Sequence, residues 1–323
     1  YDASVPLGSV FKSTPTPLAY LVTKVTLLLG EREALLRLPY LCVGLLGVLA
    51  LYLVAARLSG RAAGLAAALF LSLSAYHVIT SQEVRFYALI SLFGLIGLHG
   101  LVMLCGRPSA AGAALLTLGS AGAMVTHLSA AFFVPPLLFC GFLAVLLHGG
   151  GLSAPRRLAA AAAPVCAVAA IALVPFLADP QRAHSLAVLL GLAAAPAPAQ
   201  APQLAGTWHL AAGEFFGGHL RRVFLCAHSR TEWLAVLALT LAGAARTARR
   251  RPLVALFFLL AAVMVPLALT WLPARHKWAH RYFAFLLPVM LLLAASGLSA
   301  LHAAVLRLLA GSPRTGRVCA VAL

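Results

Sequence analysis

The sequence predicts an all-α polytopic membrane protein, a bundle of about nine transmembrane helices with one interfacial amphipathic helix. Three observations carry this. Of 323 residues 63% are apolar and 10% charged, with a mean hydropathy of +0.99, so a water-soluble domain would lack polar side chains to cover its surface. Apolar runs near the ~20 residues needed to cross a bilayer recur along the chain. The cations sit in short loops between those runs rather than along one basic face, so the formal charge of +17 reads as topology and anionic-ligand contact, with no nucleic acid as partner. The same composition excludes intrinsic disorder, and the 6 cysteines form no CxxC pair or regular disulfide framework. Arginine outnumbers lysine and asparagine is absent, which points to a GC-rich coding sequence and leaves no N-glycosylation sequon.

The elements follow in chain order. The chain starts at Tyr1 without a methionine or signal-like run, which leads to the expectation of a further helix upstream. Thr16 and Pro17 read as an N-cap and first helical position, and Gly30 as a stop. Between them Leu18, Leu21, Val22, Val25, Leu28 and Leu29 fall on one face, leaving Tyr20, Thr23 and Lys24 toward the other. That spacing predicts an amphipathic helix over 16–30 lying on the membrane, the alternative being a helix packed on the bundle. Spans are expected at 38–56, 62–79, 86–105, 110–125, 130–147, 158–178, 233–245, 253–272 and 282–301. The seventh is the shortest, rising only about 20 Å. The chain thus reads as one membrane domain: a first outer segment 1–37, six spans in 38–178, a large outer loop 179–232, three spans in 233–301, and an inner tail 302–323.

With the first segment outside, the run Ala245 to Arg251 (ARTARRR) falls inside, the densest basic cluster next to a span. All acids (Asp2, Glu31, Glu33, Glu83, Asp179, Glu214, Glu232) then lie outside. Raw Lys and Arg counts tie between the two sides, so the orientation rests on that cluster. The Pro/Ala-rich stretch Leu192 to Leu204 reads as an extended part of the outer loop.

The strongest local signal is SQEVRFYAL, Ser81 to Leu89, where a carboxylate and a guanidinium two residues apart stand at the outer mouth of two helices. Charges there are costly unless used or paired. Either Glu83 and Arg85 pair with each other or snorkel to the interface, or Arg85 offers its planar fork to phosphate oxygens.

These residues resemble the GT-C glycosyltransferases related to protein O-mannosyltransferases and the lipid A aminoarabinose transferase. Pro17, Leu18 and Tyr20 match a PPL-Y helix start. Gly30, Glu33, Arg37, Leu38 and Pro39 match a G-x-x-E-x-x-x-R-L-P step, and Arg57, Gly60, Arg61, Ala63 and Leu65 an inner R-x-x-G-R-x-A-x-L turn. Ser81, Gln82, Glu83, Arg85, Tyr87, Ala88 and Leu89 match SQEARxYAL, while Thr126 to Ser129 resembles T-H-Y and His280 to Pro288 an R-Y-x-x-x-x-x-P entry.

The resemblance implies an enzyme of the bacterial inner membrane that passes a sugar from a polyprenyl-phosphate-linked donor to an acceptor hydroxyl on a lipid, polysaccharide or protein at the outer, periplasmic face. It implies Arg85 and Arg281 as donor phosphate ligands, Glu83 as the carboxylate orienting acceptor or arginine, and Tyr87, His127 and Tyr282 in support. The family's proton-accepting acid lies upstream of the PPL-Y helix, where Asp2 is the nearby candidate. Thr16 replaces the usual histidine before the prolines, and one proline stands for two. No cofactor follows from the sequence, and a divalent metal held by Glu83 with His77 or His127 stays open. The alternatives are a lipid-linked saccharide flippase or transporter, an inactive GT-C homologue, or a structural membrane subunit.

Overall fold

A computed structural model of the chain describes residues 17–177, 230–271 and 285–310, and every regular element in them is helical. In order these are α1 (Pro17–Leu27), α2 (Glu33–Ser59), α3 (Arg61–Leu73), α4 (Ala75–Gln82), α5 (Tyr87–Leu104) and α6 (Ala110–Thr126). A 3-10 turn (Leu128–Phe132) leads to α7 (Val134–His148) and α8 (Ala154–Leu177), followed by α9 (Arg230–Arg250), α10 (Pro252–Trp271) and α11 (Leu286–Ala310). Helices α2, α5, α8 and α11 are each long and apolar enough to cross a membrane, and the bent pair α3–α4 brings the number to as many as 5. Helices α6, α7 and the first part of α10 are apolar but shorter. On α2 and α3, Leu45, Leu49, Leu53, Leu65, Leu69 and Leu73 are exposed. Such a contiguous leucine surface suits acyl chains rather than water. The chain is an all-α polytopic membrane protein.

Helix α5 is the spine. It packs on α2, α6 and α7 and buries Ile90, Leu95, Leu98 and Leu101 almost completely. Small residues set how closely it meets α6: a Cβ on Gly119 would stand 2.2 Å from the Gly97 nitrogen, and one on Gly100 2.4 Å from the Leu116 nitrogen. Without a hydrophobic driving force between helices in lipid, such close backbone approach supplies dispersion contact. Phe133 closes the core from the α7 side, its ring 4.0 Å from that of Phe285 before α11.

Two expectations change. The span expected at 62–79 is broken at Ser74, where α3 and α4 meet at 63°. Ser74 adopts extended backbone (φ −70°, ψ 113°), and its hydroxyl accepts from the His77 backbone N–H, starting a new helix in a run that hydropathy reads as continuous. The short span expected at 233–245 lies within a longer helix, Arg230–Arg250, about 31 Å long, which among the described residues is not one of those apolar enough to cross a membrane. Helix α1 lies against α2 and α6 but turns its polar edge inward: Ala19, Tyr20, Thr23 and Thr26 are buried while Val25, Leu28 and Leu29 are exposed. The helix is therefore packed on the bundle by its polar edge, with Val25, Leu28 and Leu29 outward. Its stop is Gly30, at φ +144°, a left-handed value that favours glycine.

Candidate functional site

The site begins with the local chemistry of two chain reversals. After α1 the chain turns at Gly30 and enters α2 with Glu33 in its first turn, where a carboxylate complements the positive end of the helix dipole. Arg37, one turn on, pairs with Glu33 through a guanidinium–carboxylate contact. The second reversal follows α4. Glu83 is its C-cap (φ −77°, ψ 133°), and the Arg85 N–H donates to the Glu83 carbonyl at 2.8 Å, a tight corner from which Phe86 and Tyr87 start α5.

Helix α4 is seated on α2 through a missing side chain. A Cβ on Gly44 would stand 2.3 Å from the Ser81 hydroxyl oxygen, so glycine at that position lets the end of α4 approach α2. The effect is to bring the two reversals together. Glu33, Arg37, Gln82, Glu83, Val84 and Arg85 line one cleft of about 460 Å³ at this end of the bundle.

Within the cleft the charges are distributed unevenly. Arg85 is exposed, Glu83 half-buried. Among the described residues Glu83 and Arg85 do not form an ion pair with each other; the pair present is Glu33–Arg37. One carboxylate oxygen of Glu83, Oε2, is fully buried and has no hydrogen-bond partner. Buried polar atoms are almost always satisfied, so this carboxylate oxygen is an open acceptor for a hydrogen bond from an arriving group.

Behind the corner, Phe86 stacks on the imidazole of His127, centroids 3.9 Å apart and planes 4° from parallel. His127 ends α6 in extended backbone, and its Nδ1 accepts from the Ser129 N–H at 3.0 Å, with the Ser129 hydroxyl 2.9 Å away. An accepting Nδ1 places the ring proton on Nε2. Burial pushes this imidazole down to about 4, so it is neutral near pH 7. Tyr87 is buried, its ring tilted against Phe86 at 4.4 Å. His127 and Tyr87 thus reach the cleft through Phe86 rather than by lining it. On the other flank, the buried Tyr40 hydroxyl donates to the Ala19 carbonyl at 2.8 Å and stands 2.8 Å from the Thr23 hydroxyl, fixing α1 to α2.

The structure therefore joins Glu83 and Arg85 with Glu33 and Arg37, which sequence reading placed in a motif without a role. Their spacing of four, an acid one turn before a base near a helix start, was the available signal. Phe86 was missed altogether. Asp2, Arg281 and Tyr282 lie outside the described residues, as does the loop 179–229. Among the described residues no group of three or more His, Cys, Asp or Glu side chains is placed to hold a metal ion.

The family model for dolichyl-phosphate-mannose-protein mannosyltransferase matches residues 13–179, more than half of the chain and all of the cleft. No curated protein and no solved structure matches the chain.

Proposed function

Because the chain belongs to the dolichyl-phosphate-mannose-protein mannosyltransferase family, within the GT-C superfamily, it is an integral-membrane glycosyltransferase of mannosyltransferase type, and we propose that the cleft between α2 and the α4–α5 corner binds the phosphate of a polyprenyl-linked sugar donor. The observation that carries this reading is the convergence of Arg37 and Arg85 on one cleft beside the unsatisfied Glu83 carboxylate. A donor of this kind keeps its prenyl chain in lipid while its phosphate meets cations at the interface.

The reaction proposed is transfer with inversion. The acceptor hydroxyl oxygen attacks the anomeric carbon, the bond from that carbon to the phosphate oxygen breaks, and polyprenyl phosphate leaves carrying the electron pair. Arg85 and Arg37, joined by Arg281, stabilise the charge growing on the departing phosphate through forked hydrogen bonds. A carboxylate takes the proton of the acceptor hydroxyl. Asp2 is the candidate for that step, while Glu83 orients the acceptor or Arg85. Tyr87, His127 and Tyr282 support the corner. The acceptor is a lipid, polysaccharide or protein hydroxyl at the outer face, and the bacterial form of the SQEVRFYAL motif favours an inner membrane with the site toward the periplasm.

The broken α3–α4 span is the one observation favouring a flippase or transporter, which uses discontinuous helices at mid-membrane. Its position argues otherwise. Helix α4 has 8 residues, so the break lies only about 12 Å below the cleft end, and α3 and α4 contain no acid or lysine.

The test is transfer by the full chain in nanodiscs from a radiolabelled polyprenyl-phosphate sugar. Wild type transfers or releases sugar, Arg85→Ala loses it, and Asp2→Asn loses turnover while keeping donor binding. Donor binding without turnover in wild type moves the reading to a transporter or an inactive homologue. Absence of donor binding overturns it.

A further inference from the structure

The opposite end of the bundle carries a second concentration of charge. Helices α9 and α11 run parallel in tight register. A Cβ on Gly243 would stand 1.9 Å from the Leu293 carbonyl oxygen, and one on Gly297 1.9 Å from the Leu239 carbonyl oxygen. Parallel packing with Gly243 opposite Gly297 sets the last turns of α9 beside Ala300 to Arg307 of α11. There Arg246, Arg249, Arg250 and Arg307 surround a groove of about 350 Å³ floored by alanines including Ala300 and Ala304. Arg246 donates to the Ser299 hydroxyl at 3.4 Å, and Arg250 and Arg307 stand close enough for their like charges to act on it. The neighbouring Arg251 donates to the Cys105 carbonyl at 2.8 Å, at the far end of α5 from Tyr87. The groove and the cleft are thus separated by the length of α5, about 27 Å.

Helix dipoles explain only part of this cluster. Each C-terminal end presents roughly half a negative charge, so two such ends offset about one of the four guanidiniums. Among the described residues no carboxylate lines the groove or pairs with these arginines. A surplus of roughly three positive charges therefore faces an alanine-walled groove at the membrane boundary. Forked guanidiniums fit phosphate oxygens, and the alanine floor accepts the glycerol and first methylenes of an acyl chain.

We propose that the groove between the C-terminal ends of α9 and α11 binds the phosphate head group of an anionic phospholipid from the leaflet at that end, a site separate from the donor cleft. The apolar floor and the position at the membrane boundary favour a lipid over a soluble phosphate. The site holds α9 and α11 together where their guanidiniums would otherwise repel.

The experiment reads lipid retained by the purified full chain from a mixture of phosphatidylglycerol and phosphatidylcholine, by native mass spectrometry. Wild type retains phosphatidylglycerol selectively. The triple variant Arg246→Gln, Arg250→Gln, Arg307→Gln weakens retention by about five-fold for each arginine removed. Ala304→Leu fills the groove with all charges in place and weakens retention at least as strongly as one arginine change. The pair Arg61→Gln, Arg107→Gln leaves retention unchanged. Thermal unfolding of each variant establishes that it is folded. Equal losses in the Arg61/Arg107 pair, or unchanged retention in Ala304→Leu, overturn the site in favour of diffuse surface charge. Complete displacement of the lipid by inorganic pyrophosphate, with pyrophosphate binding equally well without lipid, overturns the lipid in favour of a soluble phosphate.

Discussion

Phe86 lies flat on His127, planes 4° apart and centroids 3.9 Å apart, and this stack ties the charged corner before α5 to the end of α6. Burial at this corner disfavours the charged imidazolium. Burial holds His127 down to about 4, against 6.5 for an ordinary histidine. A folded-state value below the unfolded one means that protonation favours unfolding. The resulting stability is complete above pH 6.5 and is lost as pH falls from 6.5 toward 4. The full shift is worth up to about 3 kcal/mol. We expect the Tm of the purified protein to fall across that window, and His127→Gln to show a lower Tm near pH 7 with a flatter profile. An identical slope in both proteins contradicts a buried neutral His127 as the source of the pH dependence.

Glu83 keeps a buried oxygen without a hydrogen bond, which costs stability that function must offset. Glu83→Gln removes the charge at nearly constant shape. We expect unchanged or raised Tm, with turnover lowered about 10²-fold or more. A lowered Tm with turnover intact would make Glu83 a structural residue.

The Glu33–Arg37 pair is largely exposed, the side chains 77% and 48% accessible, and pairs of this kind contribute between about 0 and 1 kcal/mol. Arg37→Ala is therefore expected to leave thermal unfolding nearly unchanged while weakening donor binding. In the same assay Arg85→Lys does not restore what Arg85→Ala loses, because an ammonium lacks the guanidinium fork.

The glycine contacts make a purely structural prediction. Gly119→Ala and Gly243→Ala force a Cβ within 2.2 Å and 1.9 Å of backbone atoms on the facing helix, so the helices must separate at a cost of about 1–3 kcal/mol. Gly150→Ala, with nothing within 4 Å of the added atom, is the neutral comparison. Thermal unfolding in one detergent checks all three.

Tyr40→Phe removes the hydroxyl that joins α1 to α2 and leaves the Thr23 hydroxyl with the Ala19 carbonyl alone. A loss of about 1–2 kcal/mol is expected, read as faster proteolysis in the 28–32 connection.

Hydropathy made the α2, α5 and α11 spans legible, because each is a long run of apolar residues. It could not show the break at Ser74, which one serine hydroxyl decides inside an apolar stretch. Nor could periodicity show which edge of α1 turns inward, since Tyr20 and Thr23 are polar yet bury their hydroxyl-bearing side chains on α2 and α6. The order of the motifs was visible in the chain, but their meeting was not. Glu33 and Glu83 are brought together by Gly44 and the α3–α4 bend, and neither feature announces its partner from local spacing. In an alanine- and glycine-rich sequence, Gly97, Gly119, Gly243 and Gly297 look like any other small residues until the facing helix is placed.

The central claim is that Arg37 and Arg85 act on one phosphate. The most direct measurement is equilibrium binding of a polyprenyl phosphate, without sugar, to wild type, Arg37→Ala, Arg85→Ala and the double variant in nanodiscs. The account predicts weaker binding in each single variant and a double variant whose loss departs from the sum, as residues sharing one ligand require. Affinity unchanged in all three folded variants would contradict it.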